Sequence, residues 1–183
     1  HTYCQGRDLQ VELVEWEGGA TDLNRLSERT SDDIAAVVIQ HPNYFGCLEE
    51  MEEISALVHD VGALLITSND PISLALLQPP ASYGTDIVTS EGQGLGNALN
   101  YGGPYLGIFA AKKELLRKIP GRIVGQTVDL RGRRSFVLTL QTREQHIRRE
   151  RATSNICSNQ GMCTLMVGIF LALHGKQGLR KLA

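Results

Sequence analysis

A chain of 183 residues is long enough for one domain of ordinary size with a proper core. Its 42% hydrophobic and 21% charged residues are the composition of a folded globular protein, which excludes disorder as the default state. A formal net charge of −2 gives no overall attraction to nucleic acid or to an anionic membrane surface. The longest apolar run, Met162 to His174, is interrupted and too short to span a bilayer. Cys4, Cys47, Cys157 and Cys163 form no Cys-x-x-Cys pair and read as scattered reduced thiols of a cytosolic or organellar-matrix protein. No secretory leader is visible, and an opening on His1 with an ending on GLRKLA reads as a segment of a longer protein.

In chain order, LQVELVEW (Leu9 to Trp16) alternates apolar and polar residues and predicts a half-buried strand. Thr21 or Asp22 is placed to cap a short helix, DLNRLSER. IAAVVIQ (Ile34 to Gln40) is a continuous β-branched run, the pattern of a strand buried on both faces. Leu48, Met51, Ile54, Leu57, Val58 and Val61 recur at helical spacing and predict a helix from Leu48 to Val61. Glu49, Glu50, Glu52 and Glu53 crowd its first turns, where the helix dipole favours acids, and Gly62 ends it. Strand ALLIT (Ala63 to Thr67), a short helix near Ile72 to Leu77, the breaker Pro79-Pro80 and strand DIVTS (Asp86 to Ser90) follow. A glycine-rich loop leads to strand YLGIFAA (Tyr105 to Ala111) and a short basic helix, KKELLRK. Beyond Pro120 the pattern loosens into a strand, SFVLTL, an Arg-rich helix from Thr142 and an apolar helix from about Gln160. Strands alternating with helices predict an α/β layered fold with a mostly parallel sheet, its carboxyl edge carrying HPNYFG and the glycine loop.

Three stretches carry chemistry. The first is the loop SEGQGLGNALNYGGP (Ser90 to Pro104), whose five glycines suggest that the backbone approaches something closely. A dinucleotide fingerprint needs G-x-G-x-x-G opening a helix. Here the third glycine falls one residue early, and the loop runs into another strand. No Gly-Lys-Ser/Thr follows, so it is not a P-loop, and a tight loop joining adjacent strands is the plainer reading. The second is QHPNYFGCLEEMEEIS (Gln40 to Ser55). It puts Asn43 and two aromatics where ligands bind in open α/β sheets, or else forms a turn that packs its aromatics into the core. The third is TLQTREQHIRRERATSNICSNQG (Thr139 to Gly161), and from Arg131 to Arg151 there are seven arginines against Glu144 and Glu150. It is short and lacks interleaved aromatics, so arginine forks onto a partner subunit's carboxylates, or a solvated face, fit better than a nucleic-acid surface.

Taken together, HPNYFG, EGQGLGNALNYGGPYLGIFA, PGRIVGQTVD and LTLQTREQHIRRERATSNICSNQ resemble the P-protein family of the glycine cleavage system. The resemblance is narrower still to the first (alpha) subunit of the split form found in many prokaryotes. These motifs cover most of residues 34 to 161. The resemblance implies an α/β fold, the large domain of the aminotransferase-like, fold type I pyridoxal-phosphate-dependent transferases. Residues 1–183 would be one segment of that domain, with about 121–183 leading out of the main sheet towards a small domain.

Active members of that fold type carry a lysine just after the strand that DIVTS represents, and a carboxylate for the pyridine nitrogen. This chain has no lysine between Asp86 and Ala111. Glu91 to Gln93 occupy the lysine's place, and Thr67-Ser68 stand where the Asp is expected. Asp70 lies two residues late, before a Pro, and Lys112 and Lys113 come only after the next strand. The resemblance therefore implies a subunit with no catalytic residue, no covalent cofactor residue and no metal ligand of its own. Asn43, Glu91, Gly92, Gln93, Gly102 and Gly103 are the candidates for a pocket wall or interface loop. Pyridoxal phosphate would be held mainly by a homologous, lysine-bearing partner subunit. The implied activity is glycine dehydrogenase (decarboxylating), acting on glycine and passing the aminomethyl group to lipoylated H-protein. A cytoplasmic, prokaryotic setting goes with it, with neither nucleic acid nor membrane as a partner. A nucleotide-binding α/β module and a purely structural partner subunit are the alternatives.

Overall fold

A two-residue ladder comes first in the computed structural model: β1 (Trp16–Glu17) pairs antiparallel with β2 (Ala20–Thr21) across Gly18 and Gly19, both at positive φ. The structure describes residues 1–2, 4–6, 8–140, 148–152 and 160–183. The alternation from Leu9 to Trp16 predicts a longer strand than forms. Residues 9–15 take no regular structure, and Leu9, Val11 and Leu13 lie exposed, because no strand among the described residues pairs with them to bury that face. Asp22 caps α1 (Leu23–Arg29), its carboxylate accepting the N–H groups of Asn24 and Arg25 at 2.9 and 3.2 Å.

The centre of the first unit, residues 1–91 with 176–183, is a parallel sheet. In it β3 (Ala36–Gln40) pairs with β4 (Leu64–Asn69) from Ala36↔Leu64 to Gln40↔Ser68, and β4 pairs with β5 (Ile87–Glu91) from Ile66↔Ile87 to Asn69↔Ser90. Between β3 and β4, α2 (Met51–Asp60) starts three residues later than the periodicity predicts. It ends where Gly62, at φ 76°, donates to the His59 carbonyl and Ala63 donates to the Val58 carbonyl. Only a residue free to enter the left-handed region closes both bonds without strain. The buried core joins Leu26 of α1, Ile39 of β3, Met51, Ile54 and Val58 of α2, Ala63, Leu65 of β4, and Tyr83.

Residues 92–175 form the second unit. It contains β6 (Gly107–Ala111), shorter than predicted, then a single 3-10 turn (Lys113–Leu115) where a basic helix is expected. The antiparallel hairpin of β7 (Ile123–Val128) and β8 (Arg134–Thr139) follows, registered from Ile123↔Thr139 to Val128↔Arg134. Sequence reasoning finds β8 but not β7. Most of the residues on both hairpin strands are exposed, so selection for a buried face has left no alternation to read. The Arg-rich helix expected from Thr142 lies largely outside the described residues, which show a 3-10 turn at Arg149–Arg151.

The last element, α3 (Gly161–Leu182), is long and apolar enough by length and composition to cross a membrane. Its helical geometry breaks at Gly175, however, at φ 57° and ψ −175°. The unbroken run Gly161 to His174 spans about 21 Å at 1.5 Å per residue, short of the roughly 30 Å of a bilayer core.

Candidate functional site at the carboxyl edge of the sheet

β3, β4 and β5 all end at one edge, and the segment after β3 is built around Asn43. Its amide nitrogen donates to the Gly19 carbonyl at 2.6 Å and to Glu49 Oε1 at 2.7 Å, while its Oδ1 accepts the N–H groups of Phe45 and Cys47, both at 3.0 Å. The second oxygen of Glu49 accepts the Thr21 N–H at 2.9 Å, which ties the β1–β2 ladder to the same loop. All the hydrogen-bonding capacity of Asn43's amide is thus spent on the loop. The aromatics it positions do not enter the core, contrary to the turn-packing reading. Tyr44 is 87% and Phe45 54% exposed, and Phe45 packs on Trp16 with ring centroids 4.9 Å apart.

Beneath the loop His41 is buried. Its Nδ1 accepts the Glu49 N–H at 3.1 Å, which assigns the ring proton to Nε2. Burial holds its pKa below the usual histidine value, outweighing the pull of Glu49 and Glu52. The β4 side chains that face inward change from apolar to polar along the strand: Leu65, then Thr67, then Asn69. Asn69 donates to the His41 carbonyl at 2.8 Å. Its Oδ1, the Thr67 hydroxyl and the Tyr83 hydroxyl have no hydrogen-bond partner among the described residues. Burial raises the pKa of Tyr83, and the Asn69 amide, facing it from outside hydrogen-bond geometry, pulls the other way less strongly. The inward side chains of this edge, His41, Thr67, Asn69 and Tyr83, are neutral donors and acceptors, with Glu49 and Glu91 beside them and no amine nucleophile among the described residues of the edge. Asp70 is exposed, its carboxylate accepting the Ile72 N–H at 3.0 Å in a turn.

A constellation that the sequence does not announce lies at the opposite end of β5. Ser55 Oγ is 3.2 Å from His59 Nδ1, and His59 Nε2 is 2.9 Å from Asp86 Oδ2, which also accepts the Leu65 N–H at 2.7 Å. Serine, histidine and aspartate in a row can make a nucleophile. Here Ser55 is buried, and a Cβ added to Gly84 would stand 2.8 Å from its hydroxyl, so no substrate can reach it. The row ties α2 to β4 and β5. Ser55 and His59 lie one helical turn apart, but Asp86 joins them only through tertiary packing.

The glycine loop answers its own spacing. Gly92 donates to the Leu106 carbonyl at 2.7 Å, and Leu95 and Asn97 donate back to Gly92 and Gln93 at 3.0 and 3.1 Å. Gln93 closes the turn onto the Asn97 carbonyl at 3.2 Å. No helix opens after it, which removes the geometry a dinucleotide needs. Two of its glycines pack within their own unit: a Cβ on Gly92 would meet the Leu106 carbonyl oxygen at 3.1 Å, and one on Gly96 would meet Phe170 at 2.7 Å. A Cβ added to Gly102 or Gly103, at φ 120° and 121°, would meet nothing within 4 Å among the described residues. Glu91 is exposed at the end of β5. All five lysines, Lys112, Lys113, Lys118, Lys176 and Lys181, are exposed.

The sequence pattern of the glycine cleavage system P-protein family matches residues 1–183. A protein of Carboxydothermus hydrogenoformans named "Probable glycine dehydrogenase (decarboxylating) subunit 1" is 55% identical over 182 residues, covering 100% of this chain and 41% of that relative. The chain therefore spans about two fifths of the length of the curated relatives it matches. A crystal structure of glycine decarboxylase (P-protein) of the glycine cleavage system, in inhibitor-bound form, superimposes with a TM-score of 0.89. It is 42% identical, over 98% of this chain and 40% of that one. A cysteine desulfurase of Escherichia coli, 15% identical, matches 86% of this chain and 37% of its own with a TM-score of 0.53, and shares the fold alone.

Proposed function

Because this chain belongs to the glycine cleavage system P-protein family, we propose that it is part of the first subunit of a split glycine dehydrogenase (decarboxylating). The observation that carries the reading is the family match along all 183 residues, joined to 55% identity with a protein named as subunit 1 of that enzyme. The assembled enzyme removes carbon dioxide from glycine and passes the aminomethyl group to lipoylated H-protein, in the cytoplasm of a prokaryote. Pyridoxal phosphate, when bound, supplies the ring that takes up the electrons left by decarboxylation.

The residues of this chain do not fit a covalent holder of that cofactor. The turn after β5 contains no amine, every lysine is exposed, and the inward side chain at the end of β4 is the neutral Asn69. The cofactor is assigned to a homologous, lysine-bearing partner subunit, and this chain to pocket walls and assembly. Asn43 contributes by holding the aromatic loop. Glu91, Gly92 and Gln93 form the turn where an active relative has its lysine, and Gly102 and Gly103 lie in a loop with open space around them. Residues 1–183 are read as one segment of the aminotransferase-like large domain, with about 121–183 leading towards the small domain.

The test co-expresses the full-length subunit containing this segment with its lysine-bearing partner. Glycine-dependent exchange of labelled carbon dioxide is then measured for the pair and for each chain alone. Exchange by the pair only supports the reading. Full exchange by the lysine-bearing chain without this one would reduce the chain to a purely structural role.

A further inference from the structure

The glycine loop meets one face of α3 at two points, and both contacts lie inside the unit of residues 92–175. The loop itself is a turn followed by a bend. In the turn, residues 92–97, the Leu95 and Asn97 N–H groups donate to the Gly92 and Gln93 carbonyls, and Gln93 Nε2 donates to the Asn97 carbonyl. In the bend, residues 100–104, Asn100 Nδ2 donates to the Pro104 carbonyl at 2.9 Å. The turn rests on Phe170. A Cβ on Gly96 would stand 2.7 Å from its Cδ2 and 2.9 Å from its Cβ and Cγ, so only a bare Cα allows this approach. The bend rests on Cys163, whose thiol donates to the same Pro104 carbonyl at 3.8 Å. Cys163, Val167 and Phe170 fall at spacings of four and three, along one stripe of the helix. Cys163 and Val167 are buried, as are Leu95 and Asn97 of the turn.

Seven residues of α-helix put Cys163 and Phe170 about 10 Å apart along the axis and nearly in line. A splint of that length sets the distance between the turn and the bend. The candidates for the pocket wall divide between the two: Gly92 and Gln93 belong to the turn, Gly102 and Gly103 to the bend. Tyr101, just before Gly102, lies at φ 47° in the left-handed region, a strain that persists only where the surroundings fix the backbone. We propose that Phe170 and Cys163 are positioning residues for glycine in the assembled enzyme, holding the two halves of the pocket wall in register. The proposal rests on the reading that the glycine loop walls the pocket, and it brings in a helix which that reading does not use. A support of this kind decides where the wall stands, and small displacements of a wall weaken substrate positioning steeply.

The test uses the full-length subunit assembled with its lysine-bearing partner, and it has two readouts. One is hydrogen exchange of peptides covering residues 92–104, measured by mass spectrometry, which needs no activity. The other is the KM and kcat of glycine-dependent carbon dioxide exchange. Phe170→Ala should speed hydrogen exchange in the loop about tenfold and raise the KM for glycine about fivefold, with kcat changed by less than about twofold. Mere loss of folded molecules would lower kcat and leave KM alone. Phe170→Leu keeps the Cβ, Cγ and Cδ atoms that face Gly96 and should restore both readouts. Cys163→Ala removes only the sulfur on the Pro104 carbonyl and should produce the same changes more weakly. It decides the matter if Phe170→Ala fails to assemble. Unchanged hydrogen exchange in both alanine variants overturns the splint. Faster hydrogen exchange with an unchanged KM overturns the pocket-wall reading, and the positioning role with it.

Discussion

Replacing Asn43 by alanine strands four groups at once: the Gly19 carbonyl, a Glu49 oxygen and the N–H groups of Phe45 and Cys47. Each unsatisfied buried group costs about 1–3 kcal/mol, and these are only half-buried, so a loss of roughly 2–4 kcal/mol in urea unfolding is expected. Asn43→Asp should be no milder, since it places a second carboxylate against Glu49; full retention of stability would mean that water replaces the network at no cost. His41 makes a prediction in pH. Its folded pKa lies below the unfolded value of about 6.5, so both states are neutral above that pH and the ring's contribution is complete. As the pH falls below about 6.5 the unfolded chain takes up a proton that the folded chain refuses, and stability drops until the folded pKa is reached. The urea midpoint should therefore be lower at pH 5.5 than at pH 7.5. His41→Asn, which keeps an acceptor for the Glu49 N–H, should flatten that slope. An equally steep slope in the variant would assign the acid loss to carboxylates instead.

Among the elements, the glycine loop separates two uses of the same residue. A side chain on Gly96 would strain a backbone at φ 89° and strike Phe170 of α3 at 2.7–2.9 Å, whereas one on Gly102 would meet strain alone. Left-handed strain costs about 1–3 kcal/mol, and forcing extra atoms into a packed contact adds about 1–3. Gly96→Ala should thus lower stability by roughly twice as much as Gly102→Ala, as read from paired denaturation curves. Equal losses would show that Phe170 moves aside freely. The same contrast qualifies the sequence reading of the loop. Gly92 and Gly96 serve packing within the chain, whereas a Cβ on Gly102 or Gly103 would meet open space.

For the whole molecule, the proposed division of labour rests on a turn after β5 that carries no lysine. In the assembled enzyme, borohydride reduction followed by mass spectrometry of both chains should place the pyridoxyl group on the lysine-bearing partner and leave this chain unmodified. Stoichiometric labelling of Lys112, Lys113 or Lys118 would overturn the division of labour. Those side chains are exposed, so trace labelling of them by excess reagent is expected and carries no weight. The described part of α3 adds a second whole-molecule fact. A helix that passes a composition test for membrane crossing is interrupted at Gly175, and its unbroken part falls short of a bilayer core.

What the sequence determined by itself lies within a few residues along the chain or in long specific strings. Short apolar runs became β3, β4 and β5, Asp22 capped α1, and Gly62 closed α2, because backbone sterics and terminal hydrogen bonds act over one turn. The family was legible from strings such as LTLQTREQHIRRERATSNICSNQ, which few unrelated chains would share. Tertiary structure alone decided the rest. Leu9 to Glu15 failed to become a strand for want of a neighbour, and β7 formed without a buried face to mark it. Asn43 found Gly19 24 residues away, and His59 found Asp86 27 residues away. Gly96 was required by Phe170, far along the chain. Such choices depend on which distant groups packing brings within 3 Å of one another, and no local periodicity encodes that.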